Sequence, residues 1–353
     1  MDPTLILNDK AYERLSSEFI RIVSGDGTGQ GADQTGASGV VAHARPLSLS
    51  GVVGRFVTCN SGFEQELALL KETVAAYVQR EKPARPMNIL LAATPGSGKS
   101  FLVKQLAKSI SKDAEFLEYH VASFRDVGDF FSILQRIQSS NLEGKLPFVL
   151  LDEVDGKVNG RYLFPNLLAP LWDGIFHVGQ DQHHLGRAVL FFAASALLPS
   201  PSIQNVLGSS GKPATYSEFA NAWRNKVQVA LEESTVEKAR DFVDRIDFLL
   251  CIPPIDFAIE DGDPAREYMK LACLLVKKHF DQVDRVEMSA VWVLMRLLAQ
   301  YGSRRRAESI VFRSKDPPDG TYRFANLPPD IRIRFAQDEV VGRTGDRFFE
   351  LED

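Results

Sequence analysis

Residues Gly96 to Ser100 combine glycine, lysine and a hydroxyl in a spacing that suits phosphate binding. They follow the apolar run "MNILLAA" and read Gly-Ser-Gly-Lys-Ser. Glycine allows backbone N–H groups to approach phosphate oxygens at the start of a helix, where a Cβ would block them. Lys99 would reach the β- and γ-phosphates as a point charge, and the Ser100 hydroxyl would bind Mg²⁺. The five residues therefore predict a cradle for a nucleoside triphosphate.

One position departs from the phosphate-loop pattern G-x-x-x-x-G-K-[ST], because Ala93 stands where the first glycine belongs. That position lies at the end of the strand rather than against the nucleotide. Alanine is therefore compatible with the cradle if its φ is negative. The alternative is a chance strand-turn-helix without a ligand.

Two carboxylates follow a second apolar strand. The segment "PFVLLDE" ends in Asp152 and Glu153. In a parallel sheet such residues lie at the carboxyl edge, which is also where the cradle would lie. Asp152 would hold the water shell of Mg²⁺, and Glu153 would polarise the attacking water. Two solvated acids at a strand end are the alternative, and the preceding phosphate motif makes the catalytic interpretation the favoured one.

The elements that would position these residues alternate along the chain. Helical segments separate the predicted strands "MNILLAA", "EFLEYHVA", "PFVLLDE", "AVLFFAA" and "IDFLLC". Apolar strands bounded by helices predict a parallel sheet covered by helices on both faces, and we assign this α/β nucleotide-binding domain to residues 51–255. Residues 256–315 have helical periodicity throughout and predict a small helical domain.

The two ends of the chain carry shorter segments. Residues 1–23 predict an amphipathic helix, which is either a tethered docking element or a packed appendage. Residues 24–50 are rich in Gly, Ser, Thr and Asp and predict a flexible linker. Residues 316–353 contain "TYRF", "IRIRF" and "RFFEL", and these predict a tail with short strands or a hairpin.

The strand, cradle, lysine and paired acids together resemble the AAA+ ATPases, over about residues 51–313. The resemblance implies binding and hydrolysis of Mg·ATP, a Walker B motif ending in Asp-Glu, and a helical lid over the nucleotide. It assigns Ser100 and Asp152 to the metal and Lys99 and Glu153 to catalysis. The residues that it assigns to nucleotide binding are Thr94, Pro95, Gly96, Ser97, Gly98, Lys99, Ser100 and Phe101.

The same resemblance implies two polar residues that sense the nucleotide. Ser195, after the strand "AVLFFAA", corresponds to sensor 1, and a small residue that merely ends a strand is the alternative. In "YGSRRRAES", Arg304 best matches sensor 2, an arginine that contacts the γ-phosphate from the lid and also binds nucleotide, and Arg305 is next. A basic patch for nucleic acid is the less favoured interpretation, since no aromatic residues interleave it.

A third implied residue is an arginine finger, which enters the site of a neighbouring subunit. Arg245, just before the strand "IDFLLC", corresponds to it. Its charge would stabilise the transition state only after assembly. The alternative is a surface ion pair with Asp244 or Asp247. Arg240 and Arg224 are weaker candidates for the finger.

Two segments differ from the family's usual pattern. In "VASFRDVGDFF", Asp126 stands near the position where the first pore loop carries an aromatic residue that grips a polypeptide, and Phe124 is displaced from it. This leaves open whether the protein threads a polypeptide. Residues 199–236 form a longer connection than the corresponding segment of compact family members. They are a candidate site for subfamily-specific contacts.

The composition narrows the class of protein. The formal net charge of −5 does not favour a broad nucleic-acid-binding surface. The three cysteines are far apart, without the spacing of a disulfide framework or a zinc site. His183 and His184 in "QDQHHLG" are adjacent, and we interpret them as solvated loop residues rather than metal ligands. Neither a signal peptide nor a membrane-spanning run is recognisable, so we expect a soluble cytoplasmic protein.

The predicted function is that of an AAA+ ATPase that couples hydrolysis to conformational change or to remodelling of a protein partner, and the sequence does not name that partner. A trans-acting Arg245 implies a homo-oligomeric ring or partial ring. A slow nucleotide-dependent switch or scaffold is the alternative, favoured by the long linker and the missing pore aromatic. A clamp-loader-like DNA ATPase has the least support and predicts salt-dependent stimulation by DNA.

Overall fold

The computed structural model describes residues 9–24, 44–58, 60–81, 83–94, 96–194, 215–253, 264–301 and 304–352. The chain divides into two compact units. We call them the α/β unit, which comprises residues 52–56 and 60–261, and the C-terminal unit, which comprises residues 1–51, 57–59 and 262–353.

Helices and strands are numbered in chain order over the described residues. The helices are α1 (Asp9–Ser24), α2 (Ser61–Val78), α3 (Lys99–Ile110), α4 (Val127–Leu142), α5 (Phe164–Trp172), α6 (Tyr216–Glu233), α7 (Ala239–Val243), α8 (Pro264–His279), α9 (Met288–Tyr301), α10 (Arg304–Phe312), α11 (Pro329–Phe335) and α12 (Glu339–Thr344). The strands are β1 (Ala44–Ser48), β2 (Met87–Ala92), β3 (Ala114–His120), β4 (Leu146–Asp152), β5 (Lys157–Val158), β6 (Arg161–Tyr162), β7 (Ile175–Val178), β8 (Asp181–His184), β9 (Val189–Ala193), β10 (Phe248–Cys251), β11 (Arg285–Glu287), β12 (Thr321–Tyr322) and β13 (Phe348–Glu352).

The α/β unit is built on a five-stranded parallel sheet in the order β10-β2-β9-β4-β3. Its three central strands are mostly apolar, and almost all of their residues are buried. Apolar side chains on both faces of a strand require cover on both sides, which the helices of the unit provide. The predicted α/β fold with a parallel sheet and a helical C-terminal region is therefore confirmed.

Some local predictions for the α/β unit were wrong. The charged sequence around residues 219–244 predicts a single helix, but the structure forms two, α6 and α7, because the chain leaves the helical conformation after α6 and Lys238 adopts a positive φ of 61°. The histidines predicted on a loop lie on β8, which forms a hairpin with β7. Of the long connection at 199–236, residues 199–214 lie outside the described residues.

The C-terminal unit contains the predicted helices and also a four-stranded sheet in the order β1-β13-β11-β12. Strand β1 runs parallel to β13 and pairs Leu47 with Leu351. Residues 44–48, predicted as part of a flexible linker, are thus a strand, and the tail lies in the same sheet. The rest of that linker, residues 25–43, lies outside the described residues.

The segment "IRIRF", predicted as a strand, is helix α11. The alternating pattern was misleading because Pro329 occupies the first helical position, where its fixed φ and missing N–H favour a helix start. With only two buried side chains, Ile331 and Phe335, the segment lacks the alternate burial of a strand.

Helix α1 is packed within the C-terminal unit. Phe19 is fully buried, and its ring stacks on that of Trp292 with 5.3 Å between centroids. Tyr12 meets the same indole edge-on at 6.0 Å, and the Arg296 guanidinium lies 4.5 Å from the Tyr12 ring centroid. Of the two alternatives for this helix, the structure shows the packed appendage. Among the helices that can be described, none has the length and apolar character needed to span a bilayer.

Candidate nucleotide site

The loop between β2 and α3 has the backbone conformation of a phosphate cradle. Gly96 and Gly98 have φ values of 81° and 93°, in the left-handed region that side chains disfavour. Gly98 is the N-cap of α3 and supplies no side-chain cap. The first N–H groups of a helix have no intrahelical acceptor, so those of α3 are available to an anion.

Ala93, the departure from the motif, sits in ordinary backbone. It follows β2 and is buried. Among the non-glycine residues described, positive φ values occur elsewhere, at Glu153, Asn159, Lys238 and Asp346. A methyl group at this position therefore needs no strained conformation, and glycine is not required there.

The rest of the predicted nucleotide loop is tightly folded. The Thr94 carbonyl accepts a hydrogen bond from the Ser97 N–H at 3.2 Å. Ser97 is only 5% exposed, and its hydroxyl oxygen has no hydrogen-bond partner within the described part of the chain. Phe101 packs beside Phe56, with 6.4 Å between ring centroids. Pro95 lies outside the described residues. The buried hydroxyl of Ser97 is therefore suited to a hydrogen bond with a polar ligand.

The predicted lysine and metal carboxylate meet beside this loop. Lys99 Nζ lies 3.5 Å from Asp152 Oδ1, and both side chains are mostly buried. Strand β4, which carries Asp152, is two strands from β2 in the sheet, or roughly 10 Å. The long lysine side chain spans this gap. His120, at the end of β3, places its Nδ1 3.8 Å from Asp152 Oδ2.

Glu153 lies on a sharp turn at the end of β4. Its φ is 56°, a conformation that costs a residue with a Cβ about 1 kcal/mol. Its N–H donates to Asp152 Oδ1 at 3.1 Å, and its carbonyl accepts from the Gly156 N–H at 2.8 Å. The side chain is exposed at the carboxyl edge of the sheet. Such backbone strain is common at functional sites, which is consistent with the predicted catalytic role.

A second carboxylate, not predicted from the sequence, contacts the loop. The Ser100 hydroxyl donates to Glu118 Oε1 at 2.5 Å. Glu118 and His120 are two residues apart on β3, so both side chains lie on the same face of that strand. The alternation of Glu118 and His120 in "EFLEYHVA" is the sequence signal for this pair, but it does not indicate which element the polar face contacts.

The donor set fits Mg²⁺ that arrives with a nucleotide. The Ser100 hydroxyl and the Asp152 carboxylate are hard oxygen ligands, and Glu118 adds a nearby charge. Mg²⁺ in nucleotide sites is bound by one or two carboxylates together with phosphate oxygens. Consistent with this, no cluster of three or more His, Cys, Asp or Glu in the described segments forms a metal site of its own.

Arg245 lies at the opposite edge of the sheet from the cradle. Its carbonyl accepts a hydrogen bond of 3.0 Å from Asn88 Nδ2, at the beginning of β2, whereas the cradle follows the end of that strand. From Asn88 to Ala92 the strand rises about 13 Å. The Arg245 side chain therefore cannot reach the cradle of its own chain.

The surroundings of Arg245 do not match the predicted surface pair. Asp247 forms a bidentate ion pair with Arg85, at N···O distances of 2.6 and 2.8 Å, instead of pairing with Arg245. Arg245 Nη1 donates to the Asp241 carbonyl, and the guanidinium lies 6.0 Å from the centroid of the Trp172 ring. Of the weaker candidates, Arg224 pairs with Glu66, and Arg240 is exposed on α7.

The two sensor predictions have different outcomes. Ser195 lies outside the described residues. Arg304 begins α10 in the C-terminal unit and is half-buried, whereas Arg305 and Arg306 are exposed. Burial lowers the pKa of the Arg304 guanidinium, and the carboxylate of Glu267 opposes that shift. Of the three arginines, Arg304 is thus the partly buried one.

The residues at the predicted pore loop have structural partners. Asp126 is the N-cap of α4, and its Oδ1 accepts from the Gly128 N–H at 2.7 Å. Phe124 packs partly buried against the core. Capping explains an acid at this position, since Asp is a preferred N-cap residue.

His183, from the segment "QDQHHLG", has an aromatic partner. Its ring stacks on that of Phe176 with 5.3 Å between ring centroids.

Comparison with known families identifies the segment that carries this site. Residues 89–174 match the family described as "ATPase family associated with various cellular activities (AAA)". The match runs from β2 through α5, so it includes the cradle, Glu118, Asp152 and Glu153. It ends before β9, Arg245 and the helices of the C-terminal unit. A comparison with curated proteins found no match.

Proposed function

We propose that the chain, whose residues 89–174 match the AAA ATPase family, binds ATP with Mg²⁺ at the cradle and hydrolyses the bond between its β- and γ-phosphates. One observation carries the proposal: Lys99, at the start of α3, lies 3.5 Å from Asp152, at the end of β4. This brings the phosphate-binding cation and the metal-binding carboxylate together beside the two left-handed glycines.

The phosphates of ATP are held by the first turn of α3 and by Lys99. The backbone N–H groups donate to the phosphate oxygens, and the lysine ammonium moves from Asp152 to the β- and γ-phosphates. Ser100 and Asp152 would hold Mg²⁺, which would supply positive charge against the phosphates when bound. The buried hydroxyl of Ser97 gains a polar neighbour when the nucleotide enters.

Glu153 acts on the attacking water. Its exposed carboxylate accepts a proton from the water, whose oxygen forms a bond to the γ-phosphorus. The bond between this phosphorus and the β–γ bridging oxygen breaks, which gives ADP and inorganic phosphate. The strained turn holds the carboxylate at the carboxyl edge of the sheet, beside Asp152.

Lys99→Ala tests the cradle. We expect ATP affinity to fall about 10- to 100-fold, the cost of losing a charge-assisted hydrogen bond. A fluorescent ATP analogue titrated against the purified chain measures this. Lys104→Ala is the matched control, because it removes the same charge from an exposed position on α3. Equal affinity in the Lys99 variant and the control would contradict the proposed site.

The protein is further proposed to act as a homo-oligomer, in which Arg245 enters the site of a neighbouring copy. Its position at the far edge of the sheet supports a role in trans. Trp172, beside it, is 55% exposed, and the guanidinium of Arg85 lies 5.2 Å from its ring centroid. An exposed aromatic ring between arginines has the composition of the centre of an interface between proteins.

Trp172 allows a direct measurement of this assembly. Trp223 and Trp292 are fully buried, so quenching of tryptophan fluorescence by acrylamide reports mainly on Trp172. We expect Glu153→Gln with ATP to form the assembly and to lower the quenching constant by about half or more, as the indole becomes desolvated. Trp172→Phe should remove the quenchable signal. An assembly that leaves Trp172 equally quenchable would exclude it from the interface.

One observation favours a slow nucleotide-dependent switch over polypeptide threading as the second candidate function. Phe124 packs against the core and Asp126 caps α4, so neither side chain is placed to grip a polypeptide. In this alternative, ATP occupancy controls docking of a protein partner and only a few turnovers are needed. Hydrolysis measured with and without candidate partners separates the two functions.

A further inference from the structure

The hydrogen bond of Ser100 differs from those of three other helical serines in the α/β unit and resembles that of Ser140 on α4, which donates to the carboxylate of Glu115 on β3 as well as to a local backbone carbonyl. The hydroxyls of Ser109, Ser132 and Ser139 donate to backbone carbonyls about one turn earlier in their own helices. Such local bonds are the usual arrangement for serine in a helix. Ser100 instead donates to the carboxylate of Glu118, which belongs to a different element.

This choice of acceptor determines where the lone pairs of Ser100 point. A hydroxyl has one proton and two lone pairs, so donation to Glu118 leaves the lone pairs free to accept or to bind a cation. Because the carboxylate of Glu118 is an acceptor when ionised, it cannot compete by donating to Ser100 Oγ. The hydroxyl is thereby presented as a metal ligand before any metal arrives.

The position of Glu118 is fixed by strand pairing. Strand β3 runs parallel to β4, with Glu118 opposite Leu150 and His120 opposite Asp152. The same face of β3 thus brings one carboxylate to Ser100 and one imidazole to Asp152, the two residues assigned to the metal. Glu118 adds a negative charge beside a site where a divalent cation would bind.

We propose that Glu118 is a positioning residue for the magnesium ligand Ser100, an inference that rests on the proposed function. Its carboxylate holds the hydroxyl proton, directs the Oγ lone pairs to the metal and favours the metal by its charge. Acidic side chains that accept a hydrogen bond from a metal ligand, and so orient it, contribute substantially to metal affinity in proteins. Their loss typically weakens metal binding about 10- to 100-fold.

The test measures metal binding without turnover. Mn²⁺ is titrated into the full chain with saturating ADP, and free Mn²⁺ is followed by electron paramagnetic resonance. We expect Glu118→Ala to weaken Mn²⁺ binding about 10-fold or more. We expect a smaller loss in Glu118→Gln, because the amide oxygen still accepts the hydrogen bond but lacks the charge. Glu72→Gln, which removes the same charge from an exposed position on α2, should match the wild type.

A second readout separates this role from a structural one. Affinity for fluorescent ADP in excess EDTA should stay within about 2-fold of wild type in both Glu118 variants, because Glu118 bonds to the Ser100 hydroxyl, which serves the metal, whereas the backbone N–H groups of α3 and Lys99 hold the phosphates. Unchanged Mn²⁺ affinity in Glu118→Ala would overturn the inference, and so would an equal loss of metal-free ADP affinity. A wild-type chain that binds no nucleotide is a distinguishable result, because it would overturn the proposed function itself.

Discussion

Glu153→Gln is expected to stop ATP hydrolysis while the chain still binds ATP. Loss of a general base typically slows a reaction by about 10²- to 10⁴-fold. The amide has nearly the shape of the carboxylate but cannot take the proton of the attacking water. Binding should persist because Lys99 and the N–H groups of α3 are unchanged. Phosphate release and equilibrium retention of radiolabelled ATP measure the two properties separately.

Glu153→Gly is the companion variant that separates the carboxylate from the turn. Glycine adopts the φ of 56° without strain, so the free energy of unfolding should rise by up to about 1 kcal/mol. Hydrolysis should nevertheless be lost, as in Glu153→Gln. If Glu153→Gly hydrolysed ATP at the wild-type rate, the carboxylate would have no catalytic role.

Arg245→Ala should slow ATP hydrolysis about as strongly as Glu153→Gln does, but by a different mechanism. An arginine finger contributes about 10³-fold or more to hydrolysis, so turnover should fall by that factor. ATP affinity of the isolated chain should not change, because Arg245 lies at the edge of the sheet where β2 begins and the cradle lies where β2 ends. Steady-state phosphate release and an ATP titration are the two measurements.

Mixing experiments reveal whether Arg245 acts between chains. In a mixed assembly of Arg245→Ala and Glu153→Gln chains, some sites contain an intact Glu153 from one chain and an intact Arg245 from its neighbour. Two nearly inactive preparations should therefore recover part of the activity when combined. A different result would be a mixture that recovers no activity together with an Arg240→Ala variant that loses turnover. The arginine finger would then be Arg240, which is exposed on α7.

The cradle and the paired acids were predictable from the sequence because their chemistry is local. Gly96 and Gly98 are needed wherever the backbone turns left-handed at a helix start, and both have that conformation. The apolar run before Asp152 fixed the strand and therefore the edge at which the acid lies. The central strands are equally recognisable, since burial on both faces leaves a continuous apolar pattern.

Glu118 and His120 were missed because their roles depend on a neighbouring strand. Nothing within "EFLEYHVA" indicates that β3 lies beside β4, with Glu118 reaching Ser100 on α3. Strand order is a property of the whole sheet. The alternating polar positions on β3 could have indicated one polar face, but not which residues that face would contact.

The C-terminal unit was predicted least well because its sheet joins distant parts of the chain. Strand β1 pairs with β13, from the other end of the sequence, and neither strand has a strong pattern of its own. Composition alone placed residues 44–48 in the linker. For "IRIRF", the periodicity of two favoured a strand, whereas Pro329 at the first helical position favoured the helix that forms.

The most direct test of the central claim is steady-state phosphate release from ATP by the purified wild-type chain, with Mg²⁺ and with EDTA. We predict continuous release that requires Mg²⁺ and that disappears in Lys99→Ala and Glu153→Gln. Absence of release under all conditions, with no stimulation by assembly or partners, would contradict an ATPase. Release at equal rates from the wild type and both variants would show that the hydrolysis does not occur at this site.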